Sequence, residues 1–391
     1  MIQYYGQNSG ATMFSTKSNL KSVIGDFHLD RMMRYSVFVP RLYNLCKSLG
    51  FETGKIMPSR AFCSDESQGF PIILITKHFG TFPFNHGMVG GIVATDRHGP
   101  HAEHGKDLVI IQASHVGYDP DTQTFGTYRR LQAEAHECSD SCGKIGGVLS
   151  WYLDEYTFAR ENIFLGRRNG KCTVTIDNQL LNETRSEGLF LQLERLLQLD
   201  NGNPQLVHTF STARSYLASD DLVASLPADS WPENGRMAIG SYLVPELFSF
   251  KRDIIGDVEG RSHLEQNLLN PMPWIVTSHS PLLVGAQVNT QAEFDRAFRT
   301  IVKEHSYHGR RLVFISCLNI DISPRKGQIF PLTKCIPWAA FIQDERGNHQ
   351  TLEQAEIIAR LNEQSADNPD QIDLEDAIGK MGREKEIRIP V

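Results

Sequence analysis

The sequence predicts an α/β fold with a mainly parallel central sheet flanked by helices. Three observations carry that prediction. Leu108, Val109, Ile110 and Ile111 make a compact apolar run within Asp107 to Ser114, as expected of a strand buried on both faces in a parallel sheet. Ile145, Val148, Leu149, Tyr152 and Leu153 follow the three-and-four spacing of an amphipathic helix. Finally, Cys63, His115 and Cys142 each close or follow a run of apolar residues, so a parallel sheet delivers all three to one edge.

The elements follow in chain order. Met33, Val37, Leu42, Leu45 and Leu49 have roughly helical spacing, interrupted by Pro40, and Gly50 stands where a C-terminal cap is expected. Lys55 to Cys63 has strand length and runs into the loop chemistry of Asp65, Glu66, Ser67 and Gly69, which puts Cys63 at a strand's C-terminal end. Ile72 to Ile75 precede the aromatic cluster Phe79, Phe82 and Phe84, and Gly87, Gly90 and Gly91 let backbone approach closely. This stretch, with Val89, is expected to line a pocket. His98, His101 and His104 lie in a polar loop that reads either as a metal-binding tract or as solvated chain. His115 follows the buried strand. Cys142 falls in or near the first turn of a helix opening at Gly143, where the helix dipole favours a thiolate.

Further on, Phe164 to Asp177 predicts a strand pair, Glu187 to Leu199 a helix, Arg261 to Leu269 a short helix, Pro273 to Val288 a strand, Ala292 to His305 a helix and Leu312 to Ile322 a strong strand. Beyond Gln343 apolar content falls. A short helix is expected through Arg360, then a mobile tail rich in Asp, Glu, Asn and Lys from Asn362 to Val391.

Composition narrows the function. A chain of 391 residues with 40% hydrophobic and 22% charged residues can bury a full core. Its 46 acidic against 39 basic residues, net charge -7, offer no electrostatic grip on nucleic acid. No eighteen-residue apolar run occurs and Met1 to Ser18 lacks a secretory pattern, so no membrane association and a cytoplasmic location are expected. The Gly87 to Gly91 segment does not match the glycine-rich phosphate loop GxGxxG. Seven cysteines, an odd and sparse set, do not make a disulfide framework.

Cys63, His115 and Cys142 are instead the element types of a catalytic zinc site, with three protein ligands and a fourth position open to water. Cys138 and Cys142 form a CxxxC, which leaves open which of the two is the ligand and which a packing thiol. Cys63-Ser64-Asp65, His115 after a buried strand, and Cys142-Gly143 opening a helix together resemble the beta-class carbonic anhydrases, and more closely their limiting-CO2-inducible B/C relatives. The resemblance extends over about residues 30 to 343. It implies a beta-carbonic-anhydrase-like fold, Zn2+ on Cys63, His115 and Cys142, and reversible hydration of CO2 to bicarbonate by a zinc-bound hydroxide.

It further implies Asp65 as gatekeeper beside the metal and a homodimer. Beta-class enzymes pair this aspartate with an arginine two residues on, but here position 67 is serine, and Arg60 is the candidate to reach back instead. His86 is the candidate proton shuttle, and Phe79, Phe82, Phe84 and Val89 are candidates to receive CO2. The departure at position 67 keeps two alternatives in view, a zinc-binding regulatory relative without catalysis and a zinc hydrolase of another small electrophile. The expected layout is an N-terminal segment 1–29, a zinc domain 30–343 with additional helical structure at about 178–270, and a polar C-terminal tail 344–391.

Overall fold

In the computed structural model, which describes residues 27–88, 90–93, 107–129, 138–139, 142–254, 261–325, 328 and 331–383, the two apolar runs lie side by side as parallel strands in the middle of one sheet. The chain divides into two compact units, one from the described residues of Asp26–Gly143 and Asn289–Val391, the other Lys144–Val288. In the first unit we number β1 (Met33–Arg34), α1 (Tyr35–Ser48), β2 (Ile56–Ala61), α2 (Gly69–Phe79), β3 (Phe84–Asn85) and β4 (Asp107–Asp119), then α3 (Pro281–Lys303), β5 (Leu312–Ile322), β6 (Lys334–Gln343), β7 (His349–Leu352), α4 (Gln354–Asn362) and α5 (Leu374–Met381).

The sheet runs β1-β6-β5-β4-β2-β3, with β7 also on β6 and a short strand Thr124–Phe125 on β4. Its centre is parallel, β3 on β2, β2 on β4 and β4 on β5, while β6 adds antiparallel partners at the far edge. This is the α/β architecture expected, a mostly parallel sheet with helices on both faces. Alternation along β4 explains why the whole run is apolar. Val109, Ile111 and Ala113 join a core with Phe38, Leu42 and Leu45 of α1 and Ile75 and Phe79 of α2, whereas Leu108 and Ile110 join one with Phe294, Ala297 and Ile301 of α3. Each large apolar side chain buried there contributes about 1.5–3 kcal/mol.

Several stretches differ from expectation, each for a visible reason. Phe70 to Phe79 lies in α2, which a left-handed Gly80 ends with its N–H on Thr76 O. Phe79 is then buried against Tyr43, while Phe82 is 74% exposed and Phe84 37% exposed, so the three do not line one pocket, and Val89 lies outside the described residues. The region expected to be helical at about 178–270 mixes short strands with short helices, the expected helix Arg261–Leu269 and Asp220–Ser225 among them. Gly188–Leu191 pairs with Phe248–Lys251, Leu189 opposite Phe250, because a short leucine-rich run satisfies period two as well as period 3.6. Within Glu187 to Leu199 helix is confined to Leu193–Leu196.

Within Lys144–Val288, a helix Gly143–Asn162 enters and five antiparallel strands form a second sheet around the hairpin Ile163–Arg168 and Lys171–Asp177. Pro273 to Val288 is helical rather than extended, in Met272–Val276 and the start of α3. The segment expected as a tail is tied down as far as Ile372, whose N–H donates to Lys77 O. Ile357 and Leu361 of α4 enter the core, Asn44 Nδ2 donates to the carbonyls of Ser365 and Asp367, and Asn368 donates to the carbonyl of His78.

The turn 87–91 is forced against the ends of β2 and β4. A Cβ on Gly91, whose φ is +75°, would lie 2.1 Å from the carbonyl oxygen of Ala113. Gly91→Ala is therefore expected to cost about 2–4 kcal/mol in urea unfolding. Gly69→Ala, where nothing lies within 4 Å of the added carbon, should stay within about 1 kcal/mol of the parent.

Candidate metal centre

Three chain segments converge where β2 and β4 end. Cys63 follows β2 by two residues, His115 projects from β4 four residues before its end, and Cys142 immediately precedes the helix Gly143–Asn162. One ligand atom from each, the two Sγ atoms and an imidazole nitrogen, lie within 4.8 Å of one another, and all three residues are buried. The structure thus brings together the three residues that the sequence singled out. Cys138 pairs through its backbone with Arg129, and Cys142 supplies the thiol that stands with Cys63 and His115 among the described residues. His98, His101 and His104 lie outside the described residues.

The orientation of His115 comes from β5. Asn319 stands opposite His115 in the parallel register, and two residues further along the same face Asp321 reaches its ring. His115 Nδ1–H donates to Asp321 Oδ2 at 2.7 Å, both side chains being fully buried. In the neutral ring this fixes the lone pair on Nε2, which has no hydrogen-bond partner, and such a carboxylate-oriented imidazole is the usual arrangement of a metal-ligating histidine.

Asp321 accepts three further donors, Ser67 Oγ–H at 2.8 Å, Gln68 Nε2–H at 2.9 Å and Thr333 Oγ1–H at 3.3 Å. Gln68 Oε1 in turn accepts from Asn319 Nδ2 at 2.8 Å, and Asn319 Oδ1 from Tyr35 OH at 2.8 Å. Of this network the sequence offers only Ser67, and that as a loop residue. A signal existed: Asn319 and Asp321 interrupt a run buried on both faces, and polar groups there need partners.

The electrostatics suit a cation. Contact with the Cys142 thiol, opposed by burial and aided by His115 and the Gly90 amide, lowers Cys63 to about 4, and Gly90 N–H donates to Cys63 Sγ at 3.3 Å. The Cys142 thiol is pushed up, first by that same contact and then by burial, against the opposing pull of His115. Burial works against the imidazolium of His115, but the neighbouring Cys142, Asp321 and Cys63 outweigh it and raise its pKa. A metal entering this group displaces protons, so its affinity must fall as pH falls.

Of the other sequence candidates Arg60 and His86 are neighbours, the His86 N–H donating to the Arg60 carbonyl at 3.1 Å. Asp65 Oδ1 accepts from Ser67 N–H at 3.1 Å and caps the short turn Glu66–Gln68. Among the described residues the guanidinium of Arg60 makes no ion pair, with Asp65 or any other group, and partial burial lowers its pKa. Ser67, in the arginine's place, is buried and committed to Asp321. His86 is buried with Nδ1 on Ser59 Oγ. Burial first, then the charge of Arg60, lowers it to about 3, which makes it a neutral imidazole near pH 7 and mismatched to proton exchange there.

Among solved structures the chain is similar to PtLCIB4, a homologue of the limiting CO2-inducible protein LCIB, with TM-score 0.48 and 12% identity over 85% of this chain and 99% of that one. It is also similar to the limiting CO2-inducible protein LCIB itself, with TM-score 0.43 and 12% identity over 84% and 96% of the two chains. No family model and no curated protein matches the sequence. Among the described residues no helix is long and apolar enough to cross a membrane.

Asp321→Asn should weaken uptake of an added soft divalent cation roughly 10- to 100-fold in a chelator competition titration, because a neutral amide is a weaker acceptor for the Nδ1–H and no longer raises the basicity of Nε2. The acid limb of stability has its own signature. His86, near 3, and His78, which burial and then Lys77 bring to about 4, both lie below the ordinary 6.5. The unfolded chain therefore takes up protons that the folded chain refuses, so this contribution is complete above about pH 6.5 and is lost as pH falls toward 4. His86→Gln should flatten the slope of urea midpoint against pH in that window, and an unchanged slope would assign the limb to other groups.

Proposed function

We propose that the chain is a zinc-dependent carbonic anhydrase that reversibly hydrates CO2 to bicarbonate. The observation that carries this reading is the buried Cys63, His115 and Cys142 group, whose imidazole keeps Nε2 without a hydrogen-bond partner while Asp321 holds Nδ1. Two sulfurs and one nitrogen fit zinc, and a three-ligand set leaves one position for water. Zinc supplies there the lowering of a water's pKa to about 7.

The chain's own residues do the rest. Asp321 holds the tautomer and angle of His115, and the Gly90 amide spreads the charge of the Cys63 thiolate. Asp65, two residues beyond Cys63 and partly exposed, is the acceptor for a hydroxyl proton of the reacting species, oriented by the amide of Ser67. The resemblance on Cys63-Ser64-Asp65 supports the same assignment and carries with it a homodimer.

One observation favours a second reading. Ser67 is turned to Asp321 and Arg60 makes no ion pair among the described residues, so neither residue 67 nor Arg60 supplies the arginine that the resemblance pairs with Asp65. A zinc protein without CO2 hydration, or one that hydrolyses another small electrophile, follows from that.

The two are separated by measuring metal content and stopped-flow CO2 hydration on the same preparation. The first reading expects one zinc per chain, lost in Cys63→Ser, and hydration above the buffer rate that drops about 10²-fold or more in zinc-loaded Asp65→Asn. Stoichiometric zinc with hydration equal to buffer selects the second reading, and a folded chain that takes up no zinc ends both.

A further inference from the structure

Outside the metal centre, the first unit has a cleft of about 500 Å³ beside the ends of β1, β5 and β6. Its charge is unlike that of the chain. The protein carries a net -7, yet three cations, Arg34, Arg325 and Lys334, line the cleft and none of its described lining residues is acidic. Among the described residues these three make no ion pair. Arg34 and Lys334 are moreover directly opposed in the antiparallel register of β1 and β6, a placement in which like charges repel. The sheet thus holds two positive side chains together with no carboxylate between them.

The remaining wall is of a different kind. Phe70, Tyr118 and Leu332 supply ring and aliphatic surface, and Leu332 is 51% exposed. Tyr118 stacks at a tilt on Phe125, 4.9 Å between ring centres, so its ring is held in place. A cationic rim over an apolar and aromatic wall in a cavity of this size matches a small ligand with one charged end and one flat, apolar end. The first turn of α1, which opens on the cleft through Tyr35 and Ser36, adds no acidic residue.

We infer that this cleft binds a small phosphorylated organic anion of mononucleotide size, with its phosphate between Arg34, Lys334 and Arg325 and its ring against Tyr118 and Phe70. The site is separate from the metal ligands, none of which lines it, and its test does not depend on the proposed activity.

The experiment is calorimetric titration of the full, zinc-loaded chain with AMP, and separately with adenosine and inorganic phosphate as its two halves. AMP should bind more tightly than either half and weaken as salt is raised. Arg34→Gln and Lys334→Gln should each lose at least tenfold in affinity with circular dichroism and zinc content unchanged. Lys171→Gln, an exposed lysine of the other unit, should leave affinity as it was. Arg325→Gln repeats the test outside the sheet should either strand variant fail to fold. The inference is overturned if AMP does not bind, if adenosine or phosphate alone binds as tightly, or if Lys171→Gln costs as much as the cleft variants.

Discussion

A carboxylate without exposed surface sits behind the metal centre, and much of the surrounding chain is arranged to satisfy it. Asp321 accepts from His115, Ser67, Gln68 and Thr333. Removing one partner from such a buried charge typically costs about 3–5 kcal/mol, so the donors cannot drift independently. They come from β4, the turn before α2 and the segment leading into β6. The four bonds therefore fix the relative positions of three separate stretches of sequence, and the angle of the His115 ring is one result.

A second constraint acts on the cysteine side and is made of backbone. Gly87 passes so near Phe62, and Gly91 so near Ala113, that neither position has room for a side chain, and the carbon a substitution would add at Gly87 lies 2.5 Å from Phe62 O. That proximity lets the Gly90 amide reach Cys63 Sγ. The turn is held from the other face of the sheet by Gln112 Nε2 on Gly91 O and Asn289 Nδ2 on Gly90 O, each at 3.0 Å. Polar residues at the end of β4 thus divide by side-chain parity, Gln112 and Ser114 serving the glycine turn and His115 the metal group.

How much of this the sequence discloses follows from the range of the interactions. The central strands are legible because burial on both faces leaves a continuous apolar run, and the ligand types are legible because few other side chains bind soft cations. Ile72 to Ile75 misleads, since it reads with the aromatics after it as pocket lining while α2 buries Ile75 and Phe79 in the core by helical geometry. The leucines after Glu187 mislead the other way, because their partners Phe248 and Phe250 lie about sixty residues on. Asp321 is 206 residues from His115, and only its charge inside an apolar strand marks it. Asn362 onward reads as a tail because its anchoring is by polar groups, such as Tyr43 OH on Asp370, and leaves no apolar periodicity.

The serine at position 67 connects these constraints to the chemistry. Its hydroxyl donates to Asp321 Oδ2 while its amide donates to Asp65 Oδ1, so one residue joins the carboxylate that aims His115 to the carboxylate nearest Cys63 in sequence. A guanidinium could not make the first bond from a fully buried position without bringing a second cation against the imidazole. The hydroxyl avoids that repulsion while the main chain of the same residue donates to Asp65. Because the turn that presents this donor is itself pinned through Ser67 and Gln68, any displacement of Asp321 must disturb His115 and Asp65 together.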